Sequence, residues 1–136
     1  MNRLLQYHAI DSIAEIELPF SKSESNRLLI AQALSNHVFE IKELSDAEDT
    51  VLLKKALTTK AREVNVGMAG TAFRFLTAYF ALQEGEERVL TGAERMKERP
   101  IGILVEQLRE LGAEISYLEK DGYPPLKING KALKGK

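Results

Sequence analysis

The chain has 136 residues, of which 44% are hydrophobic and 29% charged, the balance of an ordinary folded domain rather than a disordered segment. Lys plus Arg total 19 and Asp plus Glu 20, so a net charge of −1 supplies no general pull towards nucleic acid or an anionic membrane, and neither is expected as a partner. Cysteine is absent and the two histidines, His8 and His37, lie far apart, which excludes disulfides and thiolate chemistry and argues against a zinc centre. No apolar run approaches the roughly 20 residues of a membrane span, and the N-terminus lacks the apolar stretch of a signal peptide. The expectation is a cytoplasmic domain.

Residues 13–18 alternate Ile-Ala-Glu-Ile-Glu-Leu and predict a short strand, which Pro19 ends. A polar loop, Ser21-Lys22-Ser23, leads into a helix from Glu24, with Ser23 as its N-cap and Leu28, Leu29, Ala31, Ala33 and Leu34 on an apolar side. Residues 38–44 read as a second strand. Ser45-Asp46 then caps a helix that points Val51, Leu52, Ala56 and Leu57 inward.

The second half repeats this order. A strand over residues 63–66 enters the loop Gly67-Met68-Ala69-Gly70-Thr71, and an apolar helix follows over about 72–82, with Thr71 as N-cap. Phe73, Phe75, Tyr79 and Phe80 on that helix are most simply core. Residues 88–91 form a strand, residues 94–99 a charged loop, and Pro100 sits at the start of a helix that runs to Leu111, with Gly112 closing it. Strands over 113–118 and 126–128 flank a turn at Asp121-Gly122-Tyr123-Pro124-Pro125, and the tail 130–136 is polar. Overlaying the halves sets Leu34 on Leu82 and Leu57 on Leu108, giving approximate repeat units 13–66 and 67–129. The expected fold class is α/β (α+β), with helices packed on small sheets.

Four polar loops thus stand at helix N-termini, where unpaired N–H groups and the helix dipole favour anions. Ser23, Lys22 and Arg27 can offer one phosphate a hydroxyl, a point charge and a planar fork. Taken alone, however, a capping serine followed by solvated charges explains the same spacing. Gly70 permits close backbone approach, yet the loop has neither Walker nor Rossmann spacing. Arg74 reads as a charge on the helix surface. Arg95, Lys97 and Arg99 bring three cations together, diluted by Glu94 and Glu98. No Ser-His-Asp arrangement is visible.

The combination is more specific than its parts. Ser21-Lys22-Ser23-Glu24-Ser25-Asn26-Arg27 resembles a segment near the N-terminus of the 5-enolpyruvylshikimate-3-phosphate synthase family. Ala69-Gly70-Thr71-Ala72-Phe73-Arg74 and Leu90-Thr91-Gly92, followed by Arg95-Met96-Lys97-Glu98-Arg99-Pro100-Ile101-Gly102, resemble two further family segments, and Tyr123-Pro124-Pro125-Leu126 a fourth. All stand in the family's order.

The resemblance implies transfer of the enolpyruvyl group of phosphoenolpyruvate to the 5-hydroxyl of shikimate 3-phosphate, the step that glyphosate inhibits, with no metal or organic cofactor. It implies that Lys22 touches both substrates and is the catalytic residue of this chain. Ser23 and Arg27 would join Lys22 at shikimate 3-phosphate, and Gly70 and Arg99 would join it at phosphoenolpyruvate. The related transferase acting on UDP-N-acetylglucosamine fits the Ser-Lys-Ser and Arg-Met-Lys-Glu-Arg-Pro segments less well. Two departures stand out: Met68 where the family usually has Asn, and Phe75 where Pro is common.

Family members are much longer and carry two lobes of repeated βαβαββ units. The chain is therefore expected to be a truncated N-terminal piece, part of the first lobe. Its partner would be the missing second lobe, which holds the proton-handling Asp and further Lys and Arg ligands. Alone it is expected to be inactive, since general acid–base catalysis needs a group placed at the proton. An alternative of another class is a stand-alone anion-binding or partner-docking module.

Overall fold

The structure, a computed structural model, describes residues 17–35 and 39–134. Two helices come first, α1 (Lys22–Leu34) and α2 (Glu48–Thr58). They are followed by β1 (Glu63–Asn65), α3 (Gly70–Ala81), β2 (Glu87–Thr91), the single turn α4 (Glu94–Lys97), α5 (Gly102–Glu110), β3 (Glu114–Tyr117) and β4 (Leu126–Asn129). The strands form one sheet in the order β1-β2-β4-β3. β1 and β2 run parallel, with Val64 opposite Leu90, and β4 pairs antiparallel with both β2 and β3. Residues 63–129 are thus a βαβαββ unit.

One apolar layer joins the parts. Phe73, Leu76 and Phe80 of α3 are buried with Val64, Leu90, Leu126 and Ile128 of the sheet and with Val105 of α5. Side chains of this size each contribute about 1.5–3 kcal/mol when removed from water. The strands are short, and β1 and β3 are the outer strands among the described residues, so this packing rather than pairing alone holds the sheet.

β1, β2, β3, β4, α3 and α5 fall where the sequence predicts them, and several other expectations are corrected. Residues 13–16 of the first predicted strand, Val38 and both histidines lie outside the described residues. Residues 17–18 and 39–44 carry no strand pairing. The α1 N-cap is Ser21, not Ser23: the Ser21 hydroxyl accepts from the Glu24 amide at 3.3 Å, and Glu24 sits in the first turn, where negative charge suits the dipole.

The buried face of α1 is Ser25, Asn26 and Leu29, leaving Leu28, Leu34 and both alanines exposed. On α2 the buried positions are Thr50, Leu53 and Ala56, and Val51 points to solvent. Ala47 begins α2, with the Ser45 hydroxyl accepting from its amide at 3.2 Å. Ala69 rather than Thr71 precedes α3, part of the charged loop winds into α4, and Pro100 lies ahead of α5, whose N-cap is Ile101.

The two leading helices dock through a buried polar seam. Thr50 Oγ1 donates to Asn26 Oδ1 at 2.8 Å, and the Ser45 amide donates to the Ser25 hydroxyl at 2.9 Å. Asn26 is fully buried and its Nδ2 has no hydrogen-bond partner among the described residues.

Candidate functional site

The parallel strands deliver the site loops. Beyond the C-terminal end of β1 the chain turns through Gly67 and Ala69 into α3, and beyond β2 it passes through Gly92 into α4 and on to Arg99. Ligands of open α/β sheets commonly lie outside the C-terminal ends of parallel strands.

Backbone bonds fix the two loops against each other. The Val66 amide donates to Thr91 O at 3.1 Å and the Ala93 amide to Gly67 O at 2.9 Å. Gly67 has φ +54, in the left-handed region, and its amide donates to Asn65 Oδ1 at 2.8 Å. Gly92 is also required: a Cβ there would stand 2.6 Å from Gly67 O.

Gly70 opens α3, and no side chain caps that helix. A Cβ at residue 70 would lie 2.6 Å from Nη1 of Arg99 and 3.5 Å from Nη1 of Arg74. Two guanidiniums therefore converge on the positive end of a helix. Arg74 is held there, donating to Gly70 O at 3.1 Å and to Pro100 O at 3.2 Å. Arg99 has no carboxylate partner among the described residues. Like charges gathered at the positive end of a helix repel one another, and an anion between them relieves that repulsion.

The three cations read as one cluster separate. Lys97 pairs with Glu119 at 3.1 Å and Glu94 at 3.5 Å. Its hydrogen bond to Glu119 holds it above the ordinary lysine range. Arg95 is exposed. Only Arg99 turns to Gly70.

On α1, Arg27 Nη1 donates to the Ser23 hydroxyl and also to Ser23 O at 3.3 Å, so these two residues share one face as expected. With Ser21 as cap, the Ser23 hydroxyl is released from capping. Lys22 reaches across to Asp49 Oδ1 at 3.6 Å in the first turn of α2. Its neighbour Glu48 lies 3.9 Å from a Cβ built on Gly67, so the start of α2 stands between Lys22 and the Gly67 turn.

Arg74 and Asp49 contact the candidate site residues, Arg74 at Gly70 and Asp49 at Lys22, and neither was singled out for the site from the sequence. Four-residue spacing from Gly70 brings Arg74 over the first turn of α3, and that spacing was visible. Nothing local in the sequence marked Asp49. Among the described residues no group of His, Asp or Glu is arranged to hold a metal ion, and no helix is long and apolar enough to cross a membrane.

A profile of the family described as EPSP synthase (3-phosphoshikimate 1-carboxyvinyltransferase) matches residues 53–136. The chain belongs to the EPSP synthase family. A 3-phosphoshikimate 1-carboxyvinyltransferase of Bacteroides fragilis is 51% identical over 122 residues, covering 90% of this chain and 30% of the relative. A Vibrio vulnificus protein of the same description is 43% identical over 145 residues, covering 88% of this chain and 34% of its own length. The EPSP synthase structure from Acinetobacter baumannii superposes with a TM-score of 0.78 at 23% identity, over 89% of this chain and 33% of that one. It supports the fold. The chain spans about a third of the length of the relatives it matches.

Proposed function

We propose that this chain carries substrate-holding loops of an enzyme that moves the enolpyruvyl group of phosphoenolpyruvate to the 5-hydroxyl of shikimate 3-phosphate. The carrying observation is the approach of Arg99 to Gly70 at an uncapped helix start, with no carboxylate among the described residues to neutralise it. In this reading the Gly70 backbone and Arg99 bind phosphoenolpyruvate. Ser23 and Arg27 hold shikimate 3-phosphate, and Lys22, released from Asp49, touches both. Preorganised donors of this kind stabilise charge as it develops on the reacting groups.

The proton-handling Asp belongs to the part of the family pattern that these 136 residues do not span, so the chain alone binds without turnover. A cytoplasmic setting and docking against the remainder of a two-lobed enzyme belong to the same proposal.

Calorimetry with phosphoenolpyruvate on the parent chain and on Arg99→Ala tests the reading, alongside a phosphate-release assay with both substrates. Saturable binding lost in the variant, with no phosphate released, is the expected result. Equal binding by both chains contradicts the residue assignment, and turnover contradicts the half-site.

A further inference from the structure

We propose that Glu119, on the turn between β3 and β4, is a positioning residue for Arg99 that acts through Lys97. The inference rests on the reading of Arg99 as an anion ligand and adds what places it. α4 is a single turn without a side-chain cap, so little within it fixes the course of residues 98–100.

The supports come from the β3–β4 turn. Lys97 Nζ lies 3.1 Å from Glu119 Oε1, and the Ile101 amide donates to Gly122 O at 2.8 Å. A Cβ on Gly102 would stand 3.5 Å from Gly122 Cα, so the two backbones are in close contact. Arg99 therefore sits between two points, Lys97 and Ile101, both pinned to one turn. From the other side Arg74 grips Pro100 O.

The charge arrangement points the same way. Lys97 is half-buried and meets two carboxylates, Glu119 and Glu94, so its ammonium is neutralised locally. Without Glu119 the ammonium would keep only Glu94, a neighbour on α4 itself, and nothing would tie its charge to the β3–β4 turn. Glu119 thus does two things: it ties α4 to the turn, and it holds the Lys97 charge away from the Arg99 and Arg74 guanidiniums at Gly70.

The test uses the 136-residue chain and its Glu119→Gln and Glu119→Asp variants, with phosphoenolpyruvate as the probe. Three quantities are measured: affinity, ¹⁵N relaxation of the Arg99 Nε–H, and hydrogen exchange of the Ile101 amide. Glu119→Gln is expected to weaken phosphoenolpyruvate binding about threefold, the scale of a partly exposed ion pair, with the urea midpoint unchanged. It is also expected to raise Arg99 Nε–H mobility, and Glu119→Asp to restore part of both.

Lys97→Met combined with Glu119→Gln should be no worse than either change alone. Unaltered Arg99 and Ile101 signals in Glu119→Gln would overturn the proposal. If the parent chain does not bind phosphoenolpyruvate, the functional reading fails by itself. The Arg99 and Ile101 signals then still decide the positioning role: loosened in Glu119→Gln they support it, unchanged they end it.

Discussion

Nη1 of Arg99 lies 2.6 Å from the place a Cβ on residue 70 would occupy. The contact is with the far end of a flexible side chain, and Gly70 stands in a helix rather than at positive φ. Gly70→Ala should therefore keep or slightly raise stability, by up to about 1 kcal/mol from helix propensity, while moving the guanidinium away. Urea unfolding and phosphoenolpyruvate calorimetry check it together. The expected outcome is an unchanged or higher midpoint with binding reduced tenfold or more, about 1.4 kcal/mol.

Arg74 joins the start of α3 to the residue after Arg99. Arg74→Met keeps the aliphatic stem and removes both hydrogen bonds, each from a charged donor. Stability should fall by about 1–2 kcal/mol, and phosphoenolpyruvate binding should weaken because Pro100 is no longer held. Arg74→Lys should rescue little, since a single ammonium cannot span both carbonyls.

How much of this was legible beforehand differs by element. β4 and α3 were readable because their apolar positions recur with one clear period and are buried on that face: Leu126 and Ile128, and Phe73, Leu76 and Phe80. Residues 39–44 carry strand-like alternation as well, but a strand needs a partner, and alternation does not supply one. Three closely spaced serines each suit a cap, and the sequence reading placed the α1 cap at Ser23, where the structure has Ser21. The Glu three places after Ser21 decides it. Val51 reads inward on its apolarity alone, whereas α2 packs the face of Thr50, Leu53 and Ala56, and the choice of Thr50 is made by its bond to Asn26 on α1.

The anion loops were visible as loops, and the family resemblance named their residues. That Arg99 rather than Arg95 or Lys97 meets Gly70 follows from the register of β1 on β2 and from the Glu119 pairing. Both are long-range facts.

The Asn26–Thr50 bond gives a separate prediction. Thr50→Val leaves Asn26 Oδ1 buried without its donor, beside an Nδ2 that has none. The cost should be about 1–3 kcal/mol in urea unfolding. Adding Asn26→Leu should recover part of it, because replacing both partners by apolar groups removes the unmet hydrogen bonds.

Glu87 on β2 joins Lys127 on β4 at 2.6 Å and also meets Arg62 ahead of β1. Its hydrogen bonds to Lys127 and then Arg62 hold the carboxyl below its ordinary value. A depressed carboxylate contributes stability that is present above its ordinary value and is lost as pH falls through the depressed one. Urea midpoints measured on descending from neutral pH should therefore drop less in Glu87→Gln than in the parent. Parallel acid profiles would refute the assignment.

If two separate loops of this chain hold two anions, as proposed, an NMR titration of the ¹⁵N-labelled chain will separate them. Shikimate 3-phosphate is added first, then phosphoenolpyruvate. Saturable shifts are expected at Lys22, Ser23 and Arg27 with the first ligand and at Gly70, Thr71 and Arg99 with the second. Shifts absent from both loops at millimolar ligand, or confined to residues elsewhere on the sheet, would contradict it.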